Sequence, residues 1–185
     1  MKCAATIIAL MLIQSAAAQY KFHSQNYFGA LAGDLDDALS VNTINGVQRG
    51  PWFGGVGTGI DYYYIRTVPL YLSLSRFITT KVNSIFFTLD GGTNFVWDKS
   101  TANVYNFNSN DGDFSPSLYY GALAGYKLGI NKKTGSVLMS VGYSAKKINE
   151  KFKTTSPCIF PPCPEYEQKY EYDFKRFTFR VGWMF

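Results

Sequence analysis

Charge is scarce in this 185-residue chain: Asp, Glu, Lys and Arg make up 17% of it, against ~25% in ordinary soluble domains. Histidine is scarcer still, with His23 alone, next to Ser24 and without an acidic residue nearby. A general base in that setting has no relay to work through, so no catalytic residue is expected and the chain does not read as an enzyme. Three cysteines are too few for a disulfide scaffold, and the aromatic content excludes a disordered chain. Beyond the first eighteen residues, no apolar run approaches the ~20 residues of a membrane helix. What the chain has in excess is aromatic, with Tyr 14, Phe 15 and Trp 3 beside Gly 17. Such residues are weak helix formers, which argues against a helical bundle and for strands. The length suits one domain.

The opening residues carry a targeting pattern. One positive charge at Lys2 precedes an apolar run from Ala4 to Ile13, and Ala16-Ala17-Ala18 ends it with small residues. Residues 1–18 are therefore expected to be a cleaved signal peptide, leaving 19–185 as a single barrel domain. A lipoprotein signal would place a cysteine at the cleavage point, whereas Cys3 lies at the other end. In the exported chain Cys158 and Cys163 remain, within Ser156-Pro-Cys-Ile-Phe-Pro-Pro-Cys-Pro164, and are expected to form a disulfide. Two sulfurs with no histidine beside them supply only half of a zinc site, so no metal is expected there. The mild positive balance is scattered in pairs such as Lys132-Lys133 and Lys146-Lys147. In an exported protein that suits anionic lipid headgroups and not nucleic acid.

Along the mature chain, apolar residues recur with period two between turn clusters, which gives eight expected strands. In the last, Phe177, Phe179, Val181, Trp183 and Phe185 share one face, and Thr178, Arg180, Gly182 and Met184 the other. Val137, Met139, Val141, Tyr143 and Ala145 oppose Leu138, Ser140, Gly142, Ser144 and Lys146. Leu118 to Ile130 and Ile85 to Trp97 alternate likewise, as do Leu70, Leu72 and Leu74 against Tyr71, Ser73 and Ser75. Tyr170, Tyr172 and Phe174 fall out of phase with Phe177, so a β-bulge is expected near Lys175-Arg176. The first two strands, near Asn26–Asp34 and Ala38–Val47, are the least regular.

Links after the second, fourth and sixth strands are short, whereas Asp98–Phe114 and the Cys158–Cys163 loop are long. Short turns on one side and longer loops on the other characterise transmembrane barrels, although the links after the first and third strands are short as well. An eight-stranded barrel has only enough interior for side chains to fill it. Twenty-nine Phe and Tyr pack better on the outside, against lipid, with Gly, Ser, Thr and a few charges within. Trp52, Tyr62 to Tyr64, Trp97, Tyr119, Tyr120 and Trp183 fall near strand ends, where aromatic girdles belong. The expected fold is all-β: an eight-stranded antiparallel up-and-down transmembrane β-barrel.

With its signal peptide, alternating strands and terminal Arg180-Val-Gly-Trp-Met-Phe185, the chain resembles the small bacterial outer-membrane barrels of the OmpA/OmpX type. Thr43-Ile-Asn-Gly-Val47 and Gly59-Ile-Asp-Tyr-Tyr-Tyr-Ile-Arg-Thr-Val-Pro69 resemble the PorT-like "outer membrane protein β-barrel domain" family. The resemblance implies an outer-membrane location and a role for Phe177, Phe179, Val181, Trp183 and Phe185 as the insertion signal read by the barrel-assembly machinery. It leaves open an association with other envelope proteins.

Asp61, Asp90, Lys127 and Arg180 fall on inward faces, where unpaired charge is costly, so an interior ion-pair network is expected among them. As a structural plug it would fill the barrel; as a gate it would line an ion path. Asn106 to Asp113 is oxygen-rich, but Gly112 misses the calcium-loop order. Gly54-Gly-Val-Gly-Thr-Gly59 matches no nucleotide fingerprint and reads as small residues making room inside a barrel. No cofactor is expected. The sequence thus supports a structural or interaction role, with a narrow channel or a soluble periplasmic barrel for an apolar ligand as alternatives.

Overall fold

The computed structural model describes residues 20–79, 82–97, 113–131, 135–155 and 165–185. The expected signal peptide, Cys158, Cys163 and residues 98–112 lie outside the described residues. Nine strands follow in order: β1 (Lys21–Gly33), β2 (Asp37–Arg49), β3 (Trp52–Asp61), β4 (Thr67–Phe77), β5 (Ser84–Val96), β6 (Asp113–Ser115), β7 (Ser117–Asn131), β8 (Gly135–Thr155) and β9 (Glu165–Met184). Each long strand pairs antiparallel with the next, and β9 pairs with β1 from Gln25↔Met184 to Gly33↔Arg176. Eight strands thus close into a barrel.

The three-residue β6 continues the line of β7 along β8, and Pro116 separates the two. Proline has no N–H to give a ladder, and Ser117 bridges the gap. Its hydroxyl donates to the Ser115 carbonyl at 2.9 Å and accepts the Asn149 N–H at 3.2 Å. Pro69 does the same to the β3–β4 ladder, which skips from Thr58↔Leu70 to Asp61↔Thr67.

The wall is inverted relative to a soluble barrel. On β4, Leu70, Leu72 and Leu74 face out and are exposed, while Tyr71, Ser73, Ser75 and Phe77 face in and are buried. Arg66 and Arg76 bracket this apolar stripe, each with its guanidinium over an aromatic ring, Tyr62 at 5.7 Å and Trp52 at 5.2 Å. Ten residues at ~3.3 Å, tilted ~40°, span ~25 Å along the barrel axis, the height of a lipid-facing band. Interior glycines face large rings: a methyl group at Gly57 would overlap Tyr71, and one at Gly125 would overlap Phe86. Small and large residues thus interlock between neighbouring strands on the lumen face.

Two expectations require correction. The β8–β9 ladder runs unbroken from Ser136↔Met184 to Thr155↔Glu165, so β9 has no bulge at Lys175-Arg176. The register shift lies instead in β7, between Gly129 and Asn131. Phase is kept because Phe174 points inward, where it packs against Tyr63, Leu31, Ile65 and Ile148 at the loop end of the barrel. Tyr63 and Tyr119 are likewise not girdle residues: both are buried in the lumen, while Trp52, Tyr62, Trp97, Tyr120 and Trp183 stay exposed on the outside.

Past its last pair with β1, β9 continues beside β8 for eleven further pairs, a ribbon roughly 35 Å long. There the outward face changes from apolar to charged: Lys147 bonds Glu171 at 2.6 Å, and Lys151 lies 3.8 Å from Glu167. That change marks the end of the apolar band.

Candidate functional site

The lumen is layered. At the turn end, Ile44, Phe53, Phe77, Phe86, Leu138 and Met184 form an apolar plug. At the loop end, Leu31, Tyr63, Ile65, Ile148 and Phe174 form a second. Between them lie the buried charges Asp61, Asp90, Lys146, Arg176 and Arg180, brought from β3, β5, β8 and β9 because each occupies an inward position of its strand.

Lys146 on β8 is fully buried. Its ammonium donates to the carbonyls of Tyr63 at 2.8 Å and Ile65 at 2.7 Å, and lies 3.2 Å from Thr67 Oγ1 and 3.3 Å from Asp61 Oδ1. These acceptors belong to the β3–β4 turn, whose backbone would otherwise be left unsatisfied at the barrel mouth. Asp61 holds the same turn from the other side by accepting the Tyr63 N–H at 2.9 Å. That bond accompanies a left-handed Tyr64, φ 53°. Asp61 Oδ2 then meets Arg176 Nη2 at 2.6 Å, and Arg176 Nε donates to Ser144 at 3.2 Å. Deeper in the barrel, Arg180 Nη1 pairs with Asp90 Oδ2 at 2.9 Å and Nη2 donates to the Tyr119 hydroxyl at 3.0 Å.

The topology makes these pairs cross-braces. β8 and β3 stand on opposite sides of the eight-stranded ring, so Lys146–Asp61 spans the full lumen. Arg176–Asp61 and Arg180–Asp90 each bridge strands three places apart. Of the four charges singled out in the sequence, Asp90 and Arg180 are brought together. Asp61 joins two residues the sequence reading did not include, Lys146 and Arg176. Lys127 stands apart at the turn end, with its ammonium 5.0 Å from the centre of the Phe77 ring. Arg176 was hidden by the expected bulge. Lys146 carried a readable signal, its inward parity beside Ser144.

Several buried polar atoms in this layer have no partner among the described residues: Tyr71 Oη, Ser73 Oγ, Asp90 Oδ1, Arg176 Nη1 and Arg180 Nε. Groups of this kind are satisfied by internal water. On the ribbon above, the Tyr172 phenol is pushed up to about 12 by burial, with the Glu150 carboxylate that accepts its proton at 3.2 Å adding to the shift. Glu171 holds the Lys147 ammonium above its ordinary range through their hydrogen bond. His23 lies near the seam at the turn end, beside the Ser24–Phe185 backbone pair. Among the described residues no group of His, Cys, Asp and Glu is arranged to hold a metal ion.

No family model matches this chain, and no curated protein matches it in sequence. Among solved structures it is similar to the outer membrane protein OprG from Pseudomonas aeruginosa, with a TM-score of 0.54 over 89% of this chain and 95% of that one. Identity is 12%, so the likeness is one of fold: an antiparallel barrel closed by its first and last strands.

Proposed function

We propose that this chain is an integral outer-membrane barrel with a structural or interaction role, closed to solutes and projecting its β8–β9 ribbon outward for contact. The observation that carries the reading is the inverted wall, with leucines outside and serines, glycines and paired charges inside. A soluble barrel binding an apolar ligand would need the opposite. The stripe between Arg66 and Arg76 has the height of a hydrocarbon layer, and the aromatic rings beneath both arginines lie where headgroups would meet them. The lumen-crossing ion pairs favour a plug over a pore. In this reading the chain is exported with its signal peptide, carries the Cys158–Cys163 disulfide in the ribbon loop, and sits close to the PorT-like barrels. Phe177, Phe179, Val181 and Trp183 on β9 and Phe185 just past it, exposed in a row, serve assembly as the strand the insertion machinery reads.

A narrow channel is the second reading, and the unpartnered polar atoms around Asp90 and Arg180 favour it, since water there would give an ion a path. Two measurements decide. Unboiled protein from isolated outer membranes should migrate differently from boiled protein on a denaturing gel. The purified barrel should give no single-channel steps in a planar bilayer. A chain found soluble in the periplasm without a mobility shift overturns the membrane reading; discrete conductance steps replace the closed barrel with the channel.

A further inference from the structure

The outer wall is not uniformly apolar. Asn26 on β1, Thr43 on β2 and Thr58 on β3 lie side by side in register, and all three point outward. Asn45, two residues further along β2, adds a second amide to the same patch and is exposed. No hydrogen bond within the described residues engages these four side chains, and the patch carries no charge. Along β2, Asn45 lies four positions from Arg49 and six from Leu39, so the amide lies well inside the band. Apolar residues frame it: Phe28, Val41 and Ile60 in the row on one side, Trp183 and Leu70 at the two ends. β4 and β9, by contrast, present only apolar side chains to the outside over the same height.

Polar side chains facing hydrocarbon without a partner are costly, and membrane proteins bury them against one another. Given the membrane location proposed above, on which this inference rests, we infer that the β1–β3 face is the interface between two copies of this barrel. The occupant follows from the chemistry of the patch. An uncharged surface offers nothing to a charged partner, whereas an asparagine amide both donates and accepts and is complementary to itself. A two-fold axis along the membrane normal, crossing β2 at the middle of the patch, sets Asn45 against Asn45 of the second copy and the β1 side of the patch against the β3 side of it. Gly54, on the same outer face, leaves open space beside it, which lets the two walls approach.

The test is photo-crosslinking in intact outer membranes. A benzoylphenylalanine replaces Val56, beside the patch, or Ala124, on the opposite wall, in the otherwise unaltered chain. The expected result is an adduct of twice the monomer mass, containing this chain alone, from position 56 and none from position 124. Introducing Asn26→Leu and Asn45→Leu together should abolish that adduct while the boiled-against-unboiled mobility shift persists. A shift with no adduct, an adduct with another protein, or equal adducts from both positions overturns the interface and leaves the membrane reading standing. Loss of the shift from the unaltered chain overturns both.

Discussion

Lys146 shows what a single side chain can contribute to a barrel of this size. One ammonium gathers two turn carbonyls, a threonine hydroxyl and a carboxylate, and so ties β8 to the mouth of the opposite wall. Its role was only half legible in the sequence. Parity along β8 puts Lys146 inside, but parity does not say which residue waits across the lumen, because that depends on ring order and stagger. Arg180 and Asp90 are the cleaner experimental pair, since each makes its one ion pair with the other. Arg180→Met leaves Asp90 buried and unpaired, and the expected loss is about 3–5 kcal/mol in urea unfolding followed by tryptophan fluorescence. Combining it with Asp90→Asn should recover most of that loss, because the residual charge is gone. An unchanged midpoint for Arg180→Met would mean that the pair does not brace the barrel.

Strand identity was the most legible layer, because a wall that is apolar on its outer face and polar within enforces strict alternation. What failed to read were the strand limits. β8 and β9 run to 21 and 20 residues, about twice the stretch over which apolar alternation is visible. The strands do not stop where the pattern stops. The outer face passes from apolar to charged between Phe177 and Lys175, and charged residues take over the same outward positions. The out-of-phase aromatics Tyr172 and Phe174 have the same origin: above the band, the apolar side of the ribbon turns inward to cap the lumen. The band itself can be tested on β4. Leu72→Arg places a charge near mid-height on the outer face and should cost about 2–4 kcal/mol of stability in lipid vesicles. If the substitution is neutral in vesicles, Leu72 does not face hydrocarbon.

Taken whole, the molecule is a braced cylinder with a stalk, and the two parts carry different stabilities. The cylinder and the root of the ribbon hold both apolar plugs and, among the described residues, the buried ion pairs, while the stalk beyond Glu150 and Tyr170 rests mainly on the β8–β9 ladder and exposed charges, each worth little in water. Replacing residues 151–169 with an Asn-Gly turn should therefore leave the mobility shift intact and move the unfolding free energy by less than about 1 kcal/mol. Loss of the shift would show that the stalk is part of the folded core. The seam between β1 and β9 sets the timetable of the whole structure. Gln25 Nε2 reaches Met184 Sδ at 3.7 Å across a sequence separation of 159 residues. No local collapse can make that contact early, and the loop entropy it must overcome is among the largest of the described contacts. The first strand therefore waits with an unpaired edge until the ninth arrives, and until that moment the chain is an open, aromatic-rich sheet with two bare margins.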